Sequence, residues 1–289
     1  MHYQGNIIRP PSEADSIILQ VTVGCSHNKC TFCGAYKHKQ FTIKNNEIID
    51  KDISFAAKHF QHKRRLFLCD GDALIIPQPR LVSLLIKLKN QLPWLTRVGI
   101  YANAKSIKKK SLPDLQELKR LGLGIIYMGL ESGDDQTLKA VNKGILSGEM
   151  IEQAKKVGEA GIKLSLTVLL GLAGPERSDL HAKATGRVLS EIDPEFIGAL
   201  TLMLIPGTPL YHEYQKGSFT LLEPEQILKE LRTMIAHTHL TRGLFLSNHA
   251  SNFLPLKIRL PRDQQTAIGR IDEALKGNIA LTPEWLRGL

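Results

Sequence analysis

Three cysteines lie close together near the amino terminus. Cys25, Cys30 and Cys33 have four and two residues between them, and they follow directly on an apolar run at 16–23. Iron–sulfur clusters are held by cysteine thiolates. A [4Fe–4S] cube has four irons, so three cysteines leave one iron with an open position, as in reactive rather than closed structural metal sites. The spacing therefore favours a reactive iron–sulfur site.

Two other arrangements of the thiols stay open. The fourth cysteine, Cys69, ends another apolar run. It is either a small buried hydrophobe or a fourth ligand, and a fully ligated cluster would make the chain an electron carrier or sensor. A structural zinc site would need two pairs of closely spaced cysteines, and the sequence has only one such pair, Cys30 and Cys33. Residues 1–15 lack an export signal, so we expect a cytoplasmic protein with thiols rather than disulfides.

Six apolar, β-branched runs recur along the chain, beginning at residues 16, 65, 97, 124, 162 and 195. Segments between them, such as 112–121 and 148–160, carry apolar residues at helical spacing. A strand and a helix repeating at about thirty residues predict a parallel sheet covered on both faces. Six such units fit an open barrel or a doubly wound sheet, and both place ligands at the carboxyl ends of the strands.

The pattern changes after the sixth run, where helices are predicted over 224–238 and 262–275. We expect an N-terminal segment over 1–15, a barrel over 16–211 and an α-rich extension over 212–289 that packs on the barrel. Apolar residues make up 43% and charged residues 23% of the chain, which excludes a disordered chain. No apolar stretch is long enough to span a membrane.

The cysteine loop, with the aromatic Phe32 just before Cys33, resembles that of the radical S-adenosylmethionine (SAM) superfamily. The segment MGLESGDDQTLKAVNKG after the fourth run and LIPGTPLY after the sixth are similar to those of oxygen-independent coproporphyrinogen oxidases, methylthiotransferases and the Elongator catalytic subunit. This resemblance implies a partial (β/α)6 TIM-type barrel. It also implies a [4Fe–4S] cluster on Cys25, Cys30 and Cys33, SAM bound at the open iron, and an electron donor such as flavodoxin or ferredoxin.

The resemblance also implies a set of SAM contacts. They are Phe32 beside the cluster and the polar or glycine residues at the strand ends: Gly71, Asp72, Asn103, Glu131, Ser132 and Lys143. Helix capping is the alternative role for Glu131, an Asx turn for Asn103, and a solvated helix end for Lys143. The chain departs from the family in two places. Its loop has four residues rather than three between the first two cysteines, and Asp70 replaces one of two usual glycines.

A dense polar set interrupts an apolar stretch of the tail. Asn248, His249 and Asn252 lie among leucine and phenylalanine side chains, so they either bond to the backbone or face a ligand. We expect them to line the substrate pocket.

The function that this resemblance implies is reductive cleavage of SAM to a 5′-deoxyadenosyl radical that abstracts hydrogen from a small substrate, leading to a lyase, rearrangement or oxidation reaction. The net charge of +10 favours an anionic substrate. Four cysteines leave no room for a second three-cysteine cluster, and we expect no cobalamin-binding domain before the barrel. A four-cysteine electron carrier and an RNA-binding scaffold are the alternatives, although no RNA-binding motif supports the latter.

Overall fold

The computed structural model describes residues 1–288 and contains ten strands in that range. They are β1 (Ile17–Gln20), β2 (Thr22–Val23), β3 (Thr42–Ile43), β4 (Arg65–Cys69), β5 (Arg97–Ala102), β6 (Leu123–Glu131), β7 (Lys163–Leu170), β8 (Phe196–Thr201), β9 (Gly243–Leu246) and β10 (Lys257–Leu260). Six of these strands, β1 and β4–β8, coincide with the six predicted apolar runs.

Ten α-helices alternate with the strands of residues 1–288. They are α1 (Asn46–His59), α2 (Gln78–Gln91), α3 (Ala104–Lys108), α4 (Leu112–Arg120), α5 (Asp135–Ala140), α6 (Ser147–Glu159), α7 (Gly174–Ile192), α8 (Pro209–Gln215), α9 (Pro224–Ala236) and α10 (Gln264–Leu275). Short 3-10 turns lie at Pro11–Glu13, Ala73–Ile75 and Glu284–Leu286. The helices predicted at 112–121, 148–160, 224–238 and 262–275 correspond to α4, α6, α9 and α10.

The main sheet has eight strands in the order β1-β4-β5-β6-β7-β8-β9-β10. The pairs β1–β4, β4–β5, β5–β6, β7–β8 and β8–β9 run parallel, whereas β10 runs antiparallel to β9. After the exposed Lys163, side chains along β7 alternate between buried and partly buried positions, so both faces of the strand are covered from Leu164 onward. This mixed α/β fold with a mostly parallel sheet confirms the expected partial TIM-type barrel.

The chain divides into two compact units. Unit 1 comprises Met1–Asn28, Ala35–Met128 and Gln153–Leu164. Unit 2 comprises Lys29–Gly34, Gly129–Glu152 and the described residues from Ser165 onward. The cysteine loop is shared between them, since Cys25 belongs to unit 1 and Cys30 and Cys33 belong to unit 2.

The segment after residue 211 contributes strands as well as helices. Strand β9 pairs with β8 through Phe196 and Leu244, and β10 pairs back onto β9. These strands of four residues each were not predicted, because short strands at a sheet edge give little periodicity to read. The helix α9 buries Ile227, Leu231 and Met234, which lie on one face as the helical spacing predicted.

Across residues 1–288, every helix is too short or too polar to cross a membrane.

Candidate active site

The first cysteine lies at the tip of a small hairpin in unit 1. Strands β2 and β3 pair antiparallel, with Thr22 opposite Ile43, and the cysteine loop begins directly after β2. Cys25 itself is half-buried. A Cβ added at Gly71 would lie 2.6 Å from the ring of Tyr36 and 3.0 Å from the Cβ of Cys25. The turn after β4 therefore touches the first cysteine, and it does so only because residue 71 has no side chain.

Asp72, a predicted SAM contact, is fully buried and carries several hydrogen bonds. Its carboxylate accepts from the Asn103 backbone N–H at 3.2 Å, from the Asn103 Nδ2 at 2.7 Å and from the Ser26 hydroxyl. Burial raises the pKa of Asp72 above its usual value, while the bonds from Ser106, Ser26 and Asn103 act to lower it. Asn103 also caps α3, because its Oδ1 accepts from the Ser106 N–H at 2.9 Å.

The other two cysteines lie in a short turn of unit 2. The Cys33 N–H donates to the Cys30 carbonyl at 3.4 Å. Between them, Thr31 donates its N–H to the Val141 carbonyl at 3.0 Å and accepts from the Leu210 N–H at 3.1 Å. Val141 and Leu210 belong to the two segments, VNKG and LIPGTPLY, that carry the resemblance. Both segments thus hold the Cys30–Cys33 turn through backbone hydrogen bonds.

Apolar packing supports the same turn. Phe32 packs against a buried cluster of Val141, Leu172, Leu202 and Leu210. A Cβ at Gly34 would collide with the Ile205 side chain of the LIPGTPLY segment. The aromatic residue and the glycine that flank Cys33 are therefore both fitted to unit 2.

Two further predicted SAM contacts, Glu131 and Lys143, pair with each other. The Lys143 Nζ lies 2.9 Å from the Glu131 Oε1, and both side chains keep some exposure. Glu131 adopts a left-handed backbone conformation at φ 64°, which a residue with a side chain rarely occupies. A Cβ at Gly129 would collide with the Glu131 carboxylate. The end of β6 thus holds a carboxylate and an ammonium group side by side. Backbone strain such as that at Glu131 is common at functional sites.

Ser132 is fully buried and belongs to a polar network that sequence reasoning missed. Its hydroxyl lies 2.7 Å from the His181 Nδ1 and accepts from the Asp134 N–H at 2.9 Å. The His181 Nε2 lies 3.5 Å from the Glu230 carboxylate, which accepts from the Gly171 N–H at 2.7 Å. The network ties the segment after β6 to the turn after β7.

Burial favours the neutral forms of the two titratable groups in this network. It lowers the pKa of His181 to about 4 and raises the pKa of Glu230 to about 7. The sequence held one signal of this pair, because Glu230 lies on the otherwise apolar face of α9, between Ile227 and Met234. An acid on a buried face needs hydrogen-bond partners.

Cys69, the last residue of β4, is inaccessible to solvent. Its side chain is completely buried, and its carbonyl accepts from the Val21 N–H at 2.6 Å. Burial and the Asp70 carboxylate raise the pKa of the Cys69 thiol far above its usual value. A group held in the protonated form is a poor metal ligand, so these surroundings favour the buried hydrophobe over the fourth cluster ligand.

The three predicted substrate residues lie near the carboxyl end of the chain, in unlike surroundings. Asn252 is buried, and its amide accepts from the Thr201 hydroxyl and donates to the Ala199 carbonyl of β8, each at 2.8 Å. His249 is half-buried beside the Ser251 hydroxyl at 2.9 Å, and burial lowers its pKa. Asn248 is exposed. The side chain of Asn252 is therefore occupied by the fold, while those of His249 and Asn248 keep access to solvent.

The thiols suit an iron–sulfur cluster better than a single ion. Within residues 1–288, no three His, Cys, Asp or Glu side chains converge as the ligands of one metal ion would. In a cubane each cysteine ligates a different iron, so its thiols need not converge on one point. Cys25, Cys30 and Cys33 are all half-buried, and Gly71, which has no side chain of its own, lies against Cys25. Thiols are the donors that an iron–sulfur cluster takes, so the chemistry of this donor set fits such a cluster.

Comparison with known proteins points in the same direction. The model of the family described as the radical SAM superfamily matches residues 19–184. An uncharacterized protein of Methanocaldococcus jannaschii is 24% identical over 233 residues, which cover 76% of this chain and 71% of that protein. The bacteriochlorophyllide d C-8(2)-methyltransferase of Chlorobaculum tepidum is 24% identical over 235 residues, which cover 76% of this chain and 49% of that enzyme.

Among solved structures, coproporphyrinogen III oxidase from Escherichia coli, described as a radical SAM enzyme, superposes with a TM-score of 0.56 at 16% identity. The match covers 76% of this chain and 51% of that chain. This chain therefore spans about half the length of the oxidase and of the methyltransferase, and the structural likeness concerns the fold alone.

Proposed function

Because residues 19–184 match the family model, this chain belongs to the radical SAM superfamily, and we propose that it cleaves SAM reductively at a cluster held by Cys25, Cys30 and Cys33. The proposed reaction removes a hydrogen atom from a small, anionic substrate and leads to elimination, rearrangement or oxidation. The positive net charge of +10 supports an anionic substrate.

Enzymes of this family use a [4Fe–4S] cluster and SAM. When bound, the reduced cluster and SAM together supply a 5′-deoxyadenosyl radical that takes a hydrogen atom from substrate. The protein provides binding, orientation and shelter from side reactions. In this chain the three half-buried thiols are the proposed iron ligands, and Phe32 shields the turn that carries Cys30 and Cys33.

One observation carries the proposal. The two segments that resemble other family members, VNKG and LIPGTPLY, are the segments that bond the Cys30–Cys33 turn through Val141 and Leu210. A chance cluster of thiols would have no reason to be supported by those segments. The segments that carry the resemblance therefore also support the turn that carries Cys30 and Cys33.

Polar residues at the strand ends are the proposed SAM contacts. The Glu131 and Lys143 pair offers an acceptor for hydroxyl groups and a cation for a carboxylate. Gly71 offers backbone beside Cys25. The bonds of Asp72, Asn103 and Ser132 within the protein support an indirect role for these three, in which they position the loops around SAM. His249 and Asn248 are the proposed substrate contacts, with Asn252 fixing their loop to β8.

An anaerobic assay tests the proposal. The protein is reconstituted with iron and sulfide, SAM and dithionite are added without substrate, and 5′-deoxyadenosine is measured for wild type, Cys30→Ala and Cys69→Ala. We expect product from wild type and Cys69→Ala and none from Cys30→Ala. A stable cluster that is lost on removing Cys69 and never cleaves SAM would instead establish the four-cysteine carrier. Replacing dithionite by reduced flavodoxin or ferredoxin then tests the electron donor.

Methyl transfer from SAM is a second candidate. It is supported by the name of one relative, the bacteriochlorophyllide methyltransferase, of which this chain spans 49%. The same assay separates the two reactions once candidate substrates are added. Hydrogen abstraction releases 5′-deoxyadenosine, whereas methyl transfer also releases S-adenosylhomocysteine.

A further inference from the structure

The longer spacer between Cys25 and Cys30 follows a defined path within unit 1. The Ser26 hydroxyl donates to the Asp72 carboxylate. Two residues on, the Asn28 Nδ2 donates to the Tyr36 carbonyl at 2.7 Å, and Asn28 adopts φ 42°. The spacer departs from the family pattern by one residue, yet it is bonded at both ends of its unit 1 part.

Asp70, which replaces a usual glycine of the family, is the second acid of the turn after β4. It is fully buried, and its Oδ2 accepts from the Gly24 N–H at 3.2 Å. The Lys39 Nζ lies 3.4 Å from the same oxygen, and so does the Gln20 Nε2. The other carboxylate oxygen of Asp70 has no partner among the described residues.

The two acids accept hydrogen bonds from the residues on either side of the first cysteine. Gly24 precedes Cys25 and is bonded to Asp70, and Ser26 follows Cys25 and is bonded to Asp72. Between the two acids, Gly71 lies against Cys25, because a Cβ there would be 3.0 Å from the Cβ of Cys25. Residues 70–72 are called here the carboxylate turn.

We propose that Asp70 and Asp72 are positioning residues, which fix Cys25 for iron binding by holding its two neighbours in the chain. The inference rests on the proposed function, since it assumes that Cys25 ligates the cluster. Two acids have been buried at this turn, which is costly unless they are bonded, and two of the bonds that hold them go to the residues flanking Cys25. The turn thereby fixes the start of a loop that is one residue longer than usual.

The first test uses protein without a cluster. The rate of alkylation of each cysteine by iodoacetamide is measured by peptide mass spectrometry in wild type, Ser26→Ala, Asp70→Asn and Asp72→Asn. Losing one bond to a buried charged group is expected to speed alkylation of Cys25 by up to about tenfold. The rates at Cys30 and Cys33, which unit 2 holds, should not change.

Matched controls come from unit 1. Ser12→Ala removes a hydroxyl 3.0 Å from the Tyr127 hydroxyl, and Asp52→Asn alters a buried acid paired with Lys44 at 3.5 Å. Both should leave the Cys25 rate unchanged. Ser26 is exposed, so Ser26→Ala keeps the test valid should either aspartate variant fail to fold. An unchanged Cys25 rate in Ser26→Ala, or an equal rise at all three cysteines, would overturn the inference.

The second test loads the cluster and separates this inference from the proposed function. In the reduced, reconstituted variants we expect altered electron paramagnetic resonance signals and reduced iron content relative to the two controls. If wild type forms no 5′-deoxyadenosine, the proposed function fails, and the purpose assigned to the carboxylate turn fails with it. If wild type is active while Asp72→Asn loses only SAM affinity, with Cys25 unchanged, Asp72 contacts SAM directly and only the inference is overturned.

Discussion

The cysteines of the loop are held by two kinds of interaction. Around Cys25, in unit 1, the neighbouring residues donate hydrogen bonds to side chains: the Gly24 N–H to the buried carboxylate of Asp70 and the Ser26 hydroxyl to that of Asp72. Around Cys30 and Cys33, in unit 2, the interactions are backbone hydrogen bonds and the apolar packing of Phe32. Backbone bonds survive most substitutions, whereas a bond from a side chain is lost with that side chain. The first cysteine should therefore be the more easily displaced by polar substitutions, and the other two by changes of volume.

A change of volume beside Cys33 is expected to have the largest effect. In Gly34→Val the new side chain collides with Ile205, and overpacking of this kind costs about 3 kcal/mol at its upper range. We expect the free energy of unfolding in urea to fall by that amount and iron binding after reconstitution to be mostly lost.

A double variant checks that this loss arises from the collision. Ile205→Ala vacates the colliding atoms, so Gly34→Val with Ile205→Ala should be more stable than the sum of the two single effects predicts. Additive losses of stability would show that the effect of Gly34→Val does not arise from the collision with Ile205. Sensitivity to volume would then no longer distinguish the surroundings of Cys33 from those of Cys25.

The pH dependence of stability sharpens the description of unit 2. Burial lowers the pKa of His181 to about 4, so this group favours folding increasingly as pH rises from 4 to its unfolded value of 6.5. Burial raises the pKa of Glu230 from 4.5 to about 7, so this group favours folding less as pH rises across that range. The two slopes oppose each other between pH 4.5 and 6.5, so the pair together should contribute little to the pH dependence of wild-type stability there.

Single variants separate the two contributions to the pH dependence of the free energy of unfolding. Relative to wild type, His181→Gln should lose stability as pH rises from 4 to 6.5, and Glu230→Gln should gain stability as pH rises from 4.5 to 7. Each change is about 3 kcal/mol, since each pKa differs by about 2.5 between the folded and unfolded states and one pKa unit is worth about 1.4 kcal/mol. Urea unfolding at a series of pH values measures it. Parallel curves for wild type and both variants would show that the pair does not titrate in this way.

The sequence predicted the six barrel strands because each is a nearly continuous apolar run, which requires both faces to be covered. It also predicts Cys25, Cys30 and Cys33 as cluster ligands with Phe32 beside them, because these residues are close together along the chain. It could not show that Glu131 and Lys143 pair, since they lie on separate segments and meet only through the turn after β6.

The partners of the buried polar residues near the carboxyl end could not be predicted from the sequence. A polar residue in an apolar stretch indicates that its side chain must find a partner, but it does not indicate which one. For Asn252 the partners are Thr201 and the Ala199 carbonyl of β8. The network of Ser132, His181 and Glu230 was missed for the same reason, because its members are far apart in sequence and each alone resembles an ordinary buried polar residue.

A smaller effect is expected from a change of volume beside Cys25. Gly71→Ala places a methyl group 2.6 Å from the Tyr36 ring, which should cost about 1–2 kcal/mol of stability. The hairpin and its loop can shift, so the loss should be less than for Gly34→Val. Thermal unfolding compares the two, with Gly198→Ala, where the new methyl group would meet no atom closer than 3.9 Å and φ is not positive, as a check on the backbone contribution. A larger loss at Gly71 than at Gly34 would reverse the ranking of the two units.

The smallest effect concerns the strand end that carries the acid and base pair. In Glu131→Gln and in Lys143→Met, SAM affinity measured by equilibrium dialysis should fall about threefold to fivefold, since partly exposed charged contacts are worth up to about 1 kcal/mol. Both residues are partly exposed, at 13% and 11%, so the folded state should barely change. If each side chain contacts SAM, the fold-loss of SAM affinity in the double variant should equal the product of the fold-losses in the two single variants. If they serve only to bind each other, SAM affinity should be equal in wild type and in all three variants, and the role of this pair would be confined to shaping the turn after β6.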